Sequence, residues 1–193
     1  IIYMVITVNS MTKKESDLER IFKMGKIICI DCGHGGTDAG AINGSRYEKN
    51  DTLRMGLAVK SYLEKLGQKV YITRDCDKTV VLEDRPKYAN SVKADYFISI
   101  HRNSYNASST GIEGWIYSKS LATTVNKAEV ILNEVIKVAK VTNRGVHKGY
   151  TGDPKSDYAI NRISTMPSML LELLFISNPS DNNIFDTYFD VYA

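Results

Sequence analysis

Lys26-Ile27-Ile28-Cys29-Ile30-Asp31-Cys32-Gly33-His34-Gly35-Gly36-Thr37-Asp38-Ala39-Gly40-Ala41 is the stretch from which the rest of the chain is read. Its first part, Lys26–Asp31, is a short apolar run rich in β-branched residues, which predicts a strand buried on both faces. The glycines that follow can neither prolong a strand nor open a helix. They predict a tight turn that leaves His34 at the strand's end. A strand closing on glycines invites a dinucleotide-binding reading, but that fingerprint needs a third glycine where Asp38 stands. A carboxylate there would repel a pyrophosphate, so the nucleotide reading is set aside.

Outward from this stretch, strands and helices alternate. Residues Lys49–Leu66 read as a helix ended by Gly67 at its C-cap, and Lys69–Thr73 as a second strand. Leu82–Val92 reads as a shorter helix with Pro86 near its start. Asp95–Ile100 and Gly111–Tyr117 follow as strands. In the next segment Leu121, Val125, Ala128, Leu132, Val135 and Ala139 recur at steps of four and three, the period of a helix, with Ser118 or Ser120 as candidate N-cap. Residues Thr142–Thr165 lack periodicity and read as a long rim loop, a place for substrate contacts. Met169–Ile176 is an apolar strand interrupted only by Glu172, and Ile184–Tyr192 reads as a final helix that stops abruptly at Ala193, as if truncated. Strands separated by helices predict an α/β fold: a single domain with a twisted, mostly parallel sheet flanked by helices on both faces. Residues 1–24 differ in character and are expected to be an extension outside a folded unit of residues 25–193.

With 193 residues, 43% hydrophobic and 24% charged, the chain is long enough for one core. A net charge of +3 is too mild to identify a partner. No basic stripe with interleaved aromatics points to nucleic acid. No segment reaches the roughly 20 apolar residues of a membrane span, and Ile1–Val8 lacks the basic leader of a signal peptide. Synthesis in the cytoplasm without a recognisable signal peptide is therefore the expectation. The three cysteines, Cys29, Cys32 and Cys76, are too few and odd in number for a disulfide framework. Cys29 and Cys32 match a C-x-x-C pattern, but on a strand they point to opposite faces, so both read as buried thiols.

Four residues carry the chemistry. His34, Glu48 and His101 each lie at the end of a strand or the start of a helix, where a sheet presents side chains at one rim. Alone, each has an ordinary explanation: an acid favoured by a helix dipole, a hydrogen-bonded histidine at a strand end. Together, two imidazoles and a carboxylate from separate elements match the donor set of a catalytic zinc ion. Glu172 is harder to explain otherwise. A charge inside Leu170-Leu171-Glu172-Leu173-Leu174-Phe175 costs several kcal/mol unless paired, protonated or turned into a polar site, and a nearby cation would tune it for acid/base work. His147 is the spare imidazole and reads as surface or substrate-facing.

These residues resemble, in order from Lys26 to Asp190, the zinc-dependent N-acetylmuramoyl-L-alanine amidases of the Amidase_3 family. The resemblance rests on Ile30-Asp31 with Gly33-His34-Gly35-Gly36, Asp38 and Gly40-Ala41, then Glu48, Thr73-Arg74, Leu82 with Arg85, and Ala89-Asn90. It continues through Ala94-Asp95, Phe97-Ile98-Ser99-Ile100-His101, Asn103, Arg144-Gly145-Val146, and Pro167 with Leu170-Leu171-Glu172 and Phe175-Ile176-Ser177-Asn178. It implies one zinc ion held by His34, Glu48 and His101, Glu172 as catalytic acid/base, and peptidoglycan as substrate. The bond cut would join the lactyl group of N-acetylmuramic acid to L-alanine of the stem peptide. Members often carry a wall-binding domain or signal peptide, and neither is recognisable here. The chain also looks too compact for the site-blocking helical insert of some division-associated members, so a phage-lysin or prophage type is expected, acting on the cell wall. A zinc carboxypeptidase would need a His-x-x-Glu pair, which His34 lacks. A non-catalytic wall-binding module would have lost one of the four residues, and all are present.

Overall fold

β1 (Ile27–Cys32) forms where the apolar run predicts it, and all but its first residue are buried. The coordinates are a computed structural model that describes residues 25–139, 141–149, 153 and 155–189; the expected extension at residues 1–24 and the end of the expected final helix, residues 190–192, lie outside them. After the glycine turn come a short antiparallel pair, β2 (Ile42–Asn43) and β3 (Arg46–Tyr47), and the helix α1 (Glu48–Lys65). Gly67 ends that helix at φ 79°, in the left-handed region open to glycine, its N–H on Glu64 O at 3.0 Å. β4 (Lys69–Ile72), α2 (Asp84–Ser91), β5 (Tyr96–Asn103) and β6 (Ile112–Ile116) follow within a residue or so of the predicted bounds; β5 runs further, to Asn103, and so includes His101.

Three segments depart from expectation. The long amphipathic helix α3 (Ala122–Ala139) begins after Leu121, whose carbonyl accepts from Thr124 and Val125 while its side chain is 74% exposed. Leu121 is therefore the residue that starts the helix, outside its apolar stripe. The expected rim loop contains β7 (Asn143–Lys148) and the short α4 (Ala159–Ile163). After β8 (Ser168–Phe175), helix α5 spans Pro179–Thr187 and so starts earlier than Ile184. Its start is set by Asn178, whose side chain accepts from Ser180 and Asp181 N–H, and by Pro179 in the first turn.

The six main strands form one sheet in the order β4-β1-β5-β8-β6-β7. Every neighbouring pair is parallel except β6 with β8, so β6 and β7 run against the other four. Chain order departs from β1 to both sides, which places the fold's switch point between the C-terminal ends of β1 and β5. Strand alternation divides the core. Ile28, Ile30, Ile112 and Leu171 face a large apolar cluster with Met55 of α1, Leu132 of α3 and Phe185 of α5. Cys29 and Phe97 face a smaller one with Ala89 of α2 and Ile160 of α4. β8 carries one irregularity. Its pairing to β5 moves from His101↔Glu172 to Asn103↔Phe175, so Leu173 and Leu174 together oppose Arg102, and Leu174 sits at φ 65°. Among the described residues no helix is long and apolar enough to cross a membrane.

Candidate metal centre

His34 is the first residue past the Gly33 bend, at φ 62°, a left-handed conformation uncommon for a residue with a side chain. Two buried arginines grip that bend. Arg85 donates to the carbonyls of Cys32 at 2.7 Å and His34 at 2.8 Å, and Arg74 to those of Cys32 and Gly33, both at 2.9 Å. Asp31, fully buried beneath them, accepts from Arg85, Thr73 and Ser99 at 2.6–2.8 Å, so the buried cation has a partner. Glu48 opens α1, and His101 lies on β5 across from the bend.

The three predicted ligands meet: one donor atom from each of His34, Glu48 and His101 lies within 4.8 Å of the others. His34 Nε2 is 3.1 Å from Glu48 Oε2 and His101 Nδ1 is 2.9 Å from Glu48 Oε1. The opposite nitrogen of His34, Nδ1, sits 2.8 Å from Asp38, a carboxylate that fixes the ring and leaves Nε2 for a metal. Glu48 also accepts the N–H groups of Ala41 at 2.8 Å and Arg102 at 2.9 Å. Arg102 points toward the side where β1 has already ended, which is why its N–H is free for Glu48. The pocket is sized by absent side chains. A Cβ on Gly33 would lie 2.4 Å from the His101 ring, and one on Gly40 would lie 2.6 Å from His34.

Charge and burial set the protonation of the cluster without a cation. Burial works against protonated imidazole, yet the hydrogen bond and charge of Glu48 outweigh it and lift His101 to about 9 and His34 above its ordinary value. Burial would raise the Glu48 carboxyl, but the bonds from His101 and His34 hold it far below the usual carboxylate range. A buried carboxylate that raises the proton affinity of both imidazoles favours positive charge where a divalent ion would sit. The donor set therefore fits a metal with two imidazoles and one carboxylate.

Glu172 stands beside this cluster, the ladder partner of His101. Burial pushes its carboxyl up to about 7, aided by the charges of Glu48 and Glu113 and opposed by His101. Its Oε2 is buried and has no hydrogen-bond partner among the described residues. The next strand brings in a residue the sequence alone did not single out. Glu113 on β6 is the ladder partner of Glu172, is only 7% exposed, and accepts from Asn103 at 2.9 Å, Trp115 at 3.0 Å and Arg144 at 2.6 Å. The available signal was a carboxylate inside Ile112-Glu113-Gly114-Trp115-Ile116, the same anomaly that exposes Glu172. His147 is not brought to the cluster. It lies on β7 with its ring 4.6 Å from that of Trp115. Cys29 and Cys32 are buried free thiols, both pushed up by burial and then by Asp31, Cys32 to about 12.

The sequence profile of Amidase_3, N-acetylmuramoyl-L-alanine amidase, matches residues 28–190. The chain belongs to this family. It is 37% identical over 158 residues to the sporulation-specific N-acetylmuramoyl-L-alanine amidase of Bacillus subtilis, covering 81% of this chain and 58% of that protein. It is 33% identical over 160 residues to the endolysin of Bacillus phage SPP1, covering 82% and 58%. Among solved structures, the N-acetylmuramoyl-L-alanine amidase of Clostridium difficile 630 superposes with a TM-score of 0.80 at 30% identity, covering 87% of this chain and 90% of that one. Cwp6 from Clostridium difficile also reaches 0.80, at 36% identity, covering 87% of this chain and 27% of its own. The chain spans little more than half the length of both of these curated relatives, 58%. The Amidase_3 fold thus accounts for nearly all the described residues.

Proposed function

We propose that this chain is a zinc-dependent peptidoglycan amidase that cuts the bond between the lactyl group of N-acetylmuramic acid and L-alanine of the stem peptide. The observation that carries the reading is Glu172: a half-buried carboxylate with one buried, unpartnered oxygen, the ladder partner of His101, in a chain whose His34, Glu48 and His101 donors converge. One zinc ion, when bound, supplies Lewis-acid polarisation and acidifies a water to near neutrality. His34, Glu48 and His101 hold it, and Asp38 fixes the His34 ring. Glu172, as carboxylate, accepts the proton of the attacking water. It then returns that proton to the alanine nitrogen, which could not leave as an amide anion. Burial raises this carboxyl in the metal-free site, and a cation held by the three donors would draw it back toward the carboxylate that accepts the proton. The site of action on this reading is the cell wall.

Two variants test the assignment. Glu172→Ala should keep about one equivalent of zinc and lose hydrolysis by roughly 10²–10⁴-fold; retained activity would remove Glu172 from the mechanism. His101→Ala should drop bound zinc to well below one equivalent, and unchanged metal content would reject it as a ligand. The bond itself is read from purified peptidoglycan, where new L-alanine amino ends without new reducing sugars are expected. Glycan cleavage or released D-alanine would sink the reading.

A further inference from the structure

We infer that Arg144, held in place by Glu113, reads the second residue of the stem peptide and favours a free α-carboxylate there over a carboxamide. The inference rests on the amidase reading above and concerns where the peptide lies.

His101 on β5, Glu172 on β8 and Glu113 on β6 are successive ladder partners, so their side chains form one row on one face of the sheet. Gly145 on β7, the partner of Glu113, continues the row, and nothing lies within 4 Å of where its Cβ would be. The row therefore runs from the metal ligands, past the proton carrier, to open floor. The chemistry gives it a direction. Glu172 must face the departing nitrogen, and that nitrogen belongs to L-alanine, so the stem peptide leaves the site over β6 and β7. Strands are about 4.8 Å apart and one residue advances the chain by about 3.8 Å. The second stem residue thus falls beside Glu113 and Arg144. That residue is D-glutamate linked onward through its γ-carboxyl, which leaves its α-carboxyl as a short branch, either free or amidated.

Arg144 is built to receive such a branch. Its Nε is 2.6 Å from Glu113 Oε2, its guanidinium lies over the Phe175 ring at 5.0 Å, and its side chain is 40% exposed. Its two terminal nitrogens make no hydrogen bond among the described residues. Glu113 cannot follow a substrate away, because Asn103 and Trp115 hold its other oxygen. A guanidinium fixed on one edge offers the other as a fork matched to a carboxylate. A carboxamide presents one acceptor and a donor, which two N–H groups cannot both satisfy.

The test compares two preparations of purified peptidoglycan that differ only in α-carboxylate or α-carboxamide at the second stem residue, digested by the zinc-loaded protein. At subsaturating substrate the carboxylate form should be cut about tenfold faster, the equivalent of ~1.4 kcal/mol, with the difference in KM. In Arg144→Gln that ratio should fall to about one; in Arg144→Lys, which keeps a charge but not the fork, part of it should remain. A melting curve for each variant separates misfolding from lost recognition. Equal rates on the two walls by the unaltered protein, or a ratio that survives Arg144→Gln, would overturn the inference and leave the amidase reading standing. Failure to release L-alanine ends from either wall would overturn the amidase reading and the inference together.

Discussion

On one face of the sheet α1, α3 and α5 press Met55, Leu132 and Phe185 onto Ile28, Ile30 and Ile112. On the other, the short helices α2 and α4 bring only Ala89 and Ile160 to Cys29 and Phe97, and the rest is Asp31 with Arg85 and the row from His101 to Glu113. The first face is held by burial of apolar area, which is non-directional. The second is held by buried charges that are stable only while each keeps its partner. The difference shows how one sheet can be rigid and reactive together: the long helices supply stability, and the short ones leave strand ends uncovered where the chemistry must reach substrate.

Three measurements can break or sharpen that contrast. Asp31→Ala leaves the Arg85 guanidinium buried without its carboxylate. It should cost about 3–5 kcal/mol in denaturant unfolding, the cost of an orphaned buried ion; a loss below 1 kcal/mol would mean the polar face is not held by this pair. Leu132→Ala, on the apolar face and 1% exposed, should cost about 3 kcal/mol through lost burial and a cavity. It should leave metal affinity where it was, and weakened zinc binding would show that the faces are not independent. The smallest effect is a slope. In the metal-free protein Glu172 is raised to about 7 by burial, so between its unfolded value and 7 the folded state binds the extra proton. Stability should therefore fall as pH rises from about 4.5 to 7, by at most about 3 kcal/mol, and stay at that lower level above. Glu172→Gln should remove this part of the slope, so identical pH profiles would place Glu172 in a wetter setting than its burial indicates.

Legibility in sequence followed the same division. The apolar face could be read directly, because α3 repeats its stripe over many residues and β1 and β8 are nearly continuous apolar runs. The candidate ligands could be read because each lies at or near the boundary of an element whose type is clear. β7 could not, since an edge strand pairs on one side only and is little buried, so Asn143-Arg144-Gly145-Val146-His147-Lys148 carries no apolar alternation. With β7 unread, Arg144 had no position, and Glu113 had no reason to stand beside Glu172. That adjacency depends on β6 running antiparallel to β8, a pairing between distant segments that local pattern does not encode. The start of α5 is legible in Asn178-Pro179 as cap and first turn, whereas its apolar residues begin only at Ile184 and Phe185, because the first turn is polar.

The irregularity in β8 acts as a phase correction. In a regular strand the side chain after Glu172 on the reactive face would be Leu174, an aliphatic group with nothing to offer a guanidinium. One supernumerary residue turns Leu174 into the interior, where it is fully buried, and advances Phe175 to the position beneath Arg144. In regular register the same residues would set Leu174 beside Glu172 and turn Phe175 to the opposite face, away from Arg144. The grammar of the site is thus written partly in spacing rather than in residue identity.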